Sequence, residues 1–406
     1  TMYSLAISNM LFRGDGKSQI FNEDFFSDDA KEILENLNIK PTIGFVNPPY
    51  GGKDNKSNPT KREIQFLEKM LDICSRYGII IAPLSTFFKD NNDRNRILSK
   101  HTLKYVINMP SELFQPNAAT HTAIAVFETN KPHNNHEVIF YDLKDDGFVL
   151  SKNKGRTDLF NRWNTIKKEL LNKINNVEKY QDNLIILKKK IKGPEEWLIQ
   201  AHSETDYSKL SQKDFERKIK EQVIFNLKCS LNLLEKNFKE VDLFDMFEKA
   251  EISNLPLNPT KLSLNISKWK TVKLWKKVVD LDLGKPVHKI QIESSFSEGR
   301  TPYITRTAKD NGTELFLDAT EFKDKISKGN CITIRAEGLK AYFQSLDFLT
   351  GNKVNILRNE NINKYNSLFL IALLDLQMEE KFSYGRAVVK GRLEEMNVKL
   401  PVDKNG

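Results

Sequence analysis

Two apolar runs with an amphipathic segment between them constrain the fold of this chain most. Ile43-Gly44-Phe45-Val46 and Ile79-Ile80-Ile81-Ala82 show no polar alternation. Such runs read as strands covered on both faces, as in a parallel sheet. Between them Ile64, Leu67, Leu71 and Cys74 recur every three or four residues, with Met70 and Tyr77 beside them. That spacing places them on one face of a helix, and Gly78 suits the position just past its end. Strands are also expected over 18–21, 42–46, 78–84, 103–108, 122–128 and 137–143, and Ser85 reads as a helix N-cap. Residues 1–150 therefore read as an α/β domain with a doubly wound sheet.

The chain then changes character. Residues 151–265 are rich in Lys, Asn, Leu and Ile, with helical spacing over 163–174, 184–191 and 215–238, and read as a helical connector. Lys188-Lys189-Lys190 is expected on a solvated helix face, and Pro256 and Pro259 mark a linker. Residues 266–406 form short strands, over 269–279, 302–305, 331–335 and 353–357, then one amphipathic helix over 366–382. This reads as a small α+β domain.

A formal charge of +9 and a pI near 9.1 favour a polyanionic partner, with nucleic acid ahead of an anionic membrane surface. Cys74, Cys229 and Cys331 lie far apart without a C-x-x-C pair, which argues against a disulfide framework or zinc knuckle and fits a reducing cytoplasm. No apolar run approaches the ~20 residues that span a bilayer, and no signal-peptide pattern is visible.

Chemistry concentrates in Asn47-Pro48-Pro49-Tyr50, directly after the first apolar run and before Gly51-Gly52. Two prolines fix two φ angles, remove two donors and push the preceding residues towards extended geometry. The turn presents the Asn47 side-chain oxygen and the Pro48 carbonyl beside the flat Tyr50 ring. Two acceptors next to a ring suit a planar amine, and loops at strand ends are where α/β enzymes place chemistry. An ordinary proline-rich turn is the plainer alternative. Gly14-Asp15-Gly16-Lys17-Ser18 resembles a phosphate loop, but Leu11 occupies the position of the required first glycine, so it reads as a turn. His133 and His136 share a polar loop without nearby carboxylate or thiolate partners, and no metal site is expected.

Taken together these segments resemble the N6-adenine DNA methyltransferases of restriction-modification systems, especially type I modification subunits with the γ motif order. Residues 5–16 look like the helix and turn ahead of the family's acidic motif. Asn22-Glu23-Asp24-Phe25-Phe26 is similar to that motif, which puts the contact to the adenine of S-adenosylmethionine on Asp24. Asn47-Pro48-Pro49-Tyr50 matches the catalytic motif, with Asn47 also bordering the cofactor, and residues 77–84 look like the following core strand. Residues 109–116, with 120–127, resemble the motif that borders the target base, where Phe114 is a second stacking ring. The last part resembles a type I specificity-subunit target recognition domain, through residues 298–304, 329–334 and 396–401. Arg300, Tyr303, Arg306 and Lys309 are its candidate DNA contacts.

The resemblance implies a Rossmann-like methyltransferase sheet and a site-specific adenine-N6 methyltransferase. It would use S-adenosylmethionine on an adenine flipped from double-stranded DNA, with a specificity or restriction subunit as a possible further partner and no membrane. Only 46 residues precede Asn47, and they lack the family's glycine-rich cofactor loop. The chain is therefore expected to begin inside the cofactor-binding sheet, an absence that can leave it inactive on its own. The other readings are a non-catalytic DNA-recognition fragment and a protein glutamine methyltransferase, which uses the same Asn-Pro-Pro-Tyr loop on a planar amide.

Overall fold

A computed structural model of the protein describes residues 2–38, 40–51, 62–89, 91–152, 154–182, 184–193, 195–230, 265–294, 296–305, 307–336, 340–383 and 385–401. The chain divides into two compact units, Thr1–His202 and Ser203–Gly406. This differs from the division expected at 150/151 and 265/266. Residues 151–202 complete the first unit, and the helix Gln212–Ser230 belongs to the second. Pro256 and Pro259 lie outside the described residues.

In the first unit, α1 (Met2–Phe12) and α2 (Asp28–Asn36) precede β1 (Ile43–Val46), α3 (Arg62–Ile73), β2 (Tyr77–Pro83), α4 (Asn91–Lys100) and β3 (Thr102–Asn108). Then come β4 (Thr122–Glu128), β5 (Glu137–Asp142), a hairpin of β6 (Val149–Ser151) and β7 (Gly155–Thr157), α5 (Trp163–Asn175) and β8 (Ile186–Lys190). Six of the strands form one mixed sheet in the order β1-β2-β4-β3-β5-β8. β1, β2, β3 and β5 run parallel, while β4 and β8 oppose their neighbours. The parallel strands thus deliver the ends of β1, β2, β3 and β5 to one edge of the sheet. That is where open α/β sheets place their sites.

The α3 helix forms where its apolar spacing predicts. Ile64, Leu67, Met70 and Leu71 are buried against β1 and β2, in a core with Ile80, Ala82, Phe127 and Phe140. Its close seat needs glycine in both strands. Gly44 and Gly78 are register partners, and a Cβ on Gly44 would lie 2.5 Å from Met70 Cγ and 2.6 Å from Cys74 Sγ. Gly78 is therefore a strand residue that a side chain would push into Leu71, not the helix terminator its position suggests.

Three other expectations are corrected. Residues 18–21 form no strand, because Asp15 gathers the backbone N–H groups of Lys17 and Ser18 and turns the chain there. Ser85 lies inside the short 3-10 turn Leu84–Phe87, and the next helix starts at Asn91. Lys188-Lys189-Lys190 is strand, not helix: β8 pairs antiparallel with β5, and Lys188 bridges Glu137 at 2.8 Å and Glu178 at 2.6 Å. The apolar run of β2 is covered fully on one face only. Ile80 and Ala82 are buried there, while Ile79 and Ile81 are half-buried on the other.

The second unit is α+β. A four-stranded antiparallel sheet has the order β10 (Asp280–Leu283), β16 (Val354–Arg358), β13 (Cys331–Arg335), β14 (Ala341–Gln344). A smaller sheet holds β12 (Thr313–Leu317), β11 (Thr301–Ile304) and β15 (Leu349–Thr350). The helix Lys364–Lys381 packs Leu370, Ile371, Leu374 and Met378 against Ile332, Ile334 and Phe343, and Asn363 caps it with a reciprocal bond to Asn366. Strands β9 (Lys270–Lys273) and β17 (Asn397–Leu400) pair and bring the two ends of the domain together. Lys218 of Gln212–Ser230 is buried against Asp375 at 2.6 Å, so that helix is an integral part of the unit.

Candidate active site

The Asn47-Pro48-Pro49-Tyr50 turn leaves the end of β1 at the edge where the parallel strands finish. Pro48 is buried, Asn47 and Pro49 are exposed, and Tyr50 is half-buried. The Tyr50 hydroxyl donates to Asn47 Oδ1 at 2.9 Å. A carbonyl oxygen carries two lone pairs, so this bond fixes the Asn47 side chain and leaves it room for one more donor. Burial, and secondarily the nearby Glu63 carboxylate, push the Tyr50 phenol above its ordinary range, so it stays a neutral donor at physiological pH.

Phe114 comes from the loop after β3, a segment 64 positions further along the chain, yet its ring meets that of Tyr50. The centroids are 5.9 Å apart and the planes stand at 89°. The two rings assigned to stacking are therefore brought together. They touch edge to face, so a planar guest must turn one of them to lie flat.

Asp24 lies in the exposed turn before α2, where its carboxylate accepts the Phe26 N–H at 2.9 Å and its carbonyl accepts the Ser27 N–H and hydroxyl. Ser27 then caps α2 by accepting from Ala30 N–H. The neighbouring Phe25 stacks on Phe66 of α3, with centroids 5.5 Å apart and planes 3° from parallel, and Phe26 meets the same ring edge-on at 4.7 Å. One turn earlier on α3, Glu63 is 1% exposed and accepts the Gly51 N–H on Oε1 at 2.8 Å. The first two turns of α3 thus hold both the segment of Asp24 and the Asn47–Tyr50 turn. Glu63 and Phe66 carried no sequence signal for this role. Phe66 falls in an ordinary amphipathic pattern, and the Glu63 contact is to a backbone amide.

The edge continues through Asn108, whose side-chain N–H donates to Gln200 at 2.8 Å, and its register partner Asp142 at the end of β5. Burial raises the Asp142 carboxyl to about 6. The expected phosphate-like turn at Gly14–Gly16 follows helix α1, not a strand, and its residues are exposed or half-buried.

In the second unit Arg300 is exposed at the start of β11, and Lys309 is exposed before a short 3-10 turn. Arg306 lies outside the described residues. Tyr303 departs from expectation: it is 3% exposed, sits among Val287, Leu317 and Leu349, and donates its hydroxyl to the Val287 carbonyl at 2.8 Å. Its side chain lies in the core of the small sheet, and both faces of β11 are covered, since Pro302, Tyr303 and Ile304 are all buried. It is not presented to DNA.

Comparison with known proteins places both regions. Residues 1–183 match the family of N-6 DNA methylases, and residues 267–406 match the type I restriction modification DNA specificity domain. The type II restriction enzyme and methyltransferase RM.BcgI of Heyndrickxia coagulans is 28% identical over 204 residues, 48% of this chain and 31% of the relative. The specificity subunit S.BcgI of the same organism is 31% identical over 139 residues, 34% of this chain and 40% of that subunit. Among solved structures, the type I restriction-modification methyltransferase subunit from Streptococcus thermophilus superposes at a TM-score of 0.36 with 20% identity, covering 46% of this chain and 42% of that one. The chain spans less than half the length of each of these relatives. Its two regions belong to the N-6 DNA methylase family and to the type I restriction-modification DNA specificity domain family, joined in one polypeptide.

Proposed function

We propose that the first unit methylates the exocyclic N6 of an adenine in double-stranded DNA, and that the second unit selects the target sequence. The observation that carries the reading is the meeting of Tyr50 and Phe114 beside the Asn47 acceptor. That nitrogen is out of reach of an enzyme pocket while the base is stacked, so the adenine is flipped out at a cost of a few kcal/mol. Tyr50 and Phe114 then stack on the extruded ring. Asn47 Oδ1 and the Pro48 carbonyl accept the two N–H bonds of the amine, which draws its lone pair out of conjugation and aims it at the methyl donor. Positioning and fixed dipoles lower the barrier, so no nucleophilic side chain is required.

S-adenosylmethionine, as the donor, supplies an electrophilic sulfonium methyl group. The residues present fit one half of it. Asp24, on a turn held by Phe25 and Phe66, would meet its adenosine end in this reading. The Gly14–Gly16 turn does not follow a strand and so is not the cradle that its methionine end needs. Calorimetry with S-adenosylmethionine separates an enzyme, which gives heat of binding, from a recognition fragment, which gives none.

Arg300 and Lys309 are proposed to contact DNA from the second unit, Arg300 on a base edge or phosphate and Lys309 on phosphate. An assembly with a separate restriction or specificity subunit fits the company its relatives keep. The test is Asn47→Ala: it is expected to abolish methyl transfer while leaving DNA affinity within about threefold. Equal loss of both would remove Asn47 from the chemistry.

A further inference from the structure

We propose that Glu63 is a positioning residue for methyl transfer, acting on Tyr50 through the Gly51 amide. The inference rests on the methyltransferase reading above and adds a residue that lies outside the Asn-Pro-Pro-Tyr turn.

A carboxylate is seldom fully buried unless its oxygens are satisfied. Glu63 is 1% exposed. Its Oε1 accepts the Gly51 N–H at 2.8 Å, and its Oε2 is buried without a hydrogen-bond donor among the described residues. The first turn of α3 favours the negative charge, because the N-terminal end of a helix carries a partial positive charge. Even so, leaving one carboxylate oxygen unmet costs stability. A glutamate kept at that cost in the first turn of a structural helix needs another reason to be there.

The bond it makes supplies that reason. The amide it holds joins Tyr50 to Gly51, so fixing this N–H fixes the peptide plane that follows the Tyr50 Cα. Gly51 itself has φ +75°, a left-handed conformation that turns the chain sharply just after the ring. A Cβ at Gly51 would meet nothing within 4 Å among the described residues, and the hydrogen bond from Gly51 to Glu63 holds the peptide at this point. Tyr50 is thereby anchored at three points: its hydroxyl on Asn47, its ring against Phe114, and the following peptide on Glu63. Glu63 stands one helical turn before Phe66, which grips Phe25 and Phe26. A rigid helix therefore sets the distance between the aromatic turn and the acidic segment. A misplacement of about 1 Å at such a site costs on the order of 100-fold in rate.

The test uses three variants of the full chain. Glu63→Ala and Glu63→Asp cannot reach Gly51, whereas Glu63→Gln keeps an oxygen acceptor of the same length. Tritiated methyl transfer from S-adenosylmethionine to unmethylated genomic DNA gives kcat and KM, and hydrogen exchange by mass spectrometry on a peptide spanning 45–51 reads the loop directly. Glu63→Ala and Glu63→Asp are expected to lower kcat about 10- to 100-fold with KM for DNA changed less than about threefold. Exchange at the loop should speed up at least about tenfold, and Glu63→Gln should rescue most of both effects. Glu63→Asp serves if the alanine variant does not fold. Unchanged kcat and unchanged exchange in a folded Glu63→Ala or Glu63→Asp chain overturns the proposal, as does a Glu63→Gln variant that is as impaired as Glu63→Ala. Should the unsubstituted chain transfer no methyl group, the methyltransferase reading fails on its own. The exchange measurement then decides whether Glu63 holds the loop.

Discussion

Replacing Gly44 with alanine tests how the candidate site is seated on the sheet. The new Cβ would stand 2.5 Å from Met70 Cγ, 2.6 Å from Cys74 Sγ and 2.9 Å from Met70 Sδ. Carbon atoms rest about 3.5–4.0 Å apart, so α3 must retreat by roughly 1 Å or Met70 must leave its rotamer. Cys74 cannot yield by swinging a long chain, so the backbone takes much of the strain. Overpacking of this kind costs about 1–3 kcal/mol. In a unit of this size that is a fall in melting temperature of roughly 2–12 °C. Met70 lies seven residues along α3 from Glu63, about 10 Å of helix, so a tilt of the helix also shifts the residue that holds Gly51. Methyl transfer should therefore drop by more than stability alone explains. Differential scanning calorimetry on the full chain supplies the measurement. Gly391→Ala is the control, because its Cβ meets nothing within 4 Å inside the helix Lys390–Glu395 and should add up to about 1 kcal/mol. A Gly44→Ala chain that melts within about 1 °C of the parent would refute the account of how α3 is seated.

Three further outcomes follow from the same geometry. Burial holds the Asp142 carboxyl at about 6 against an ordinary 3.8, so the folded state binds its proton more tightly and stability is lost as pH rises across that interval. Asp142→Asn should therefore raise the melting temperature at about pH 7.5 but not near pH 4, and equal shifts at both would contradict it. Lys218→Ala removes the cation facing Asp375 and Glu221 and should cost about 3–5 kcal/mol in urea denaturation, and a loss below about 1 kcal/mol would contradict it. Tyr303→Phe leaves the Val287 carbonyl without its donor, a loss of about 1–3 kcal/mol in stability with DNA affinity unchanged. Weakened DNA binding without destabilisation would return Tyr303 to the DNA surface.

Local signals in the sequence carried a good part of this structure. The α3 helix and the aromatic turn after β1 each rest on spacing within a dozen residues and form as expected, whereas the apolar run before Asn47 forms a strand but is not covered on both faces, since Ile43 and Phe45 are exposed. What depends on distant partners was not legible. The three lysines of β8 match a solvated helix by composition, and only pairing with β5 makes them strand. Gly78 looks like a helix stop until β1 supplies its partner Gly44. Tyr303 lies in a basic, polar stretch that suggests a surface, but β11 is covered on both faces by residues distant in sequence. Within the site, the resemblance of segments 22–26, 47–50 and 109–116 named Asp24, Asn47, Tyr50 and Phe114. It could not show that α3 ties the first two segments together, since Glu63 reaches a backbone amide that has no side-chain identity.

Long-read sequencing of DNA from a host lacking adenine methylation, carrying this chain or its Asn47→Ala variant, puts the account to its most direct test. The expected result is N6-methyladenine at one recurring sequence with the unsubstituted chain and none with the variant. Modified adenine that persists without Asn47 would contradict an amine held between Asn47 and Tyr50, and methylation found on cytosine instead would contradict adenine as the target.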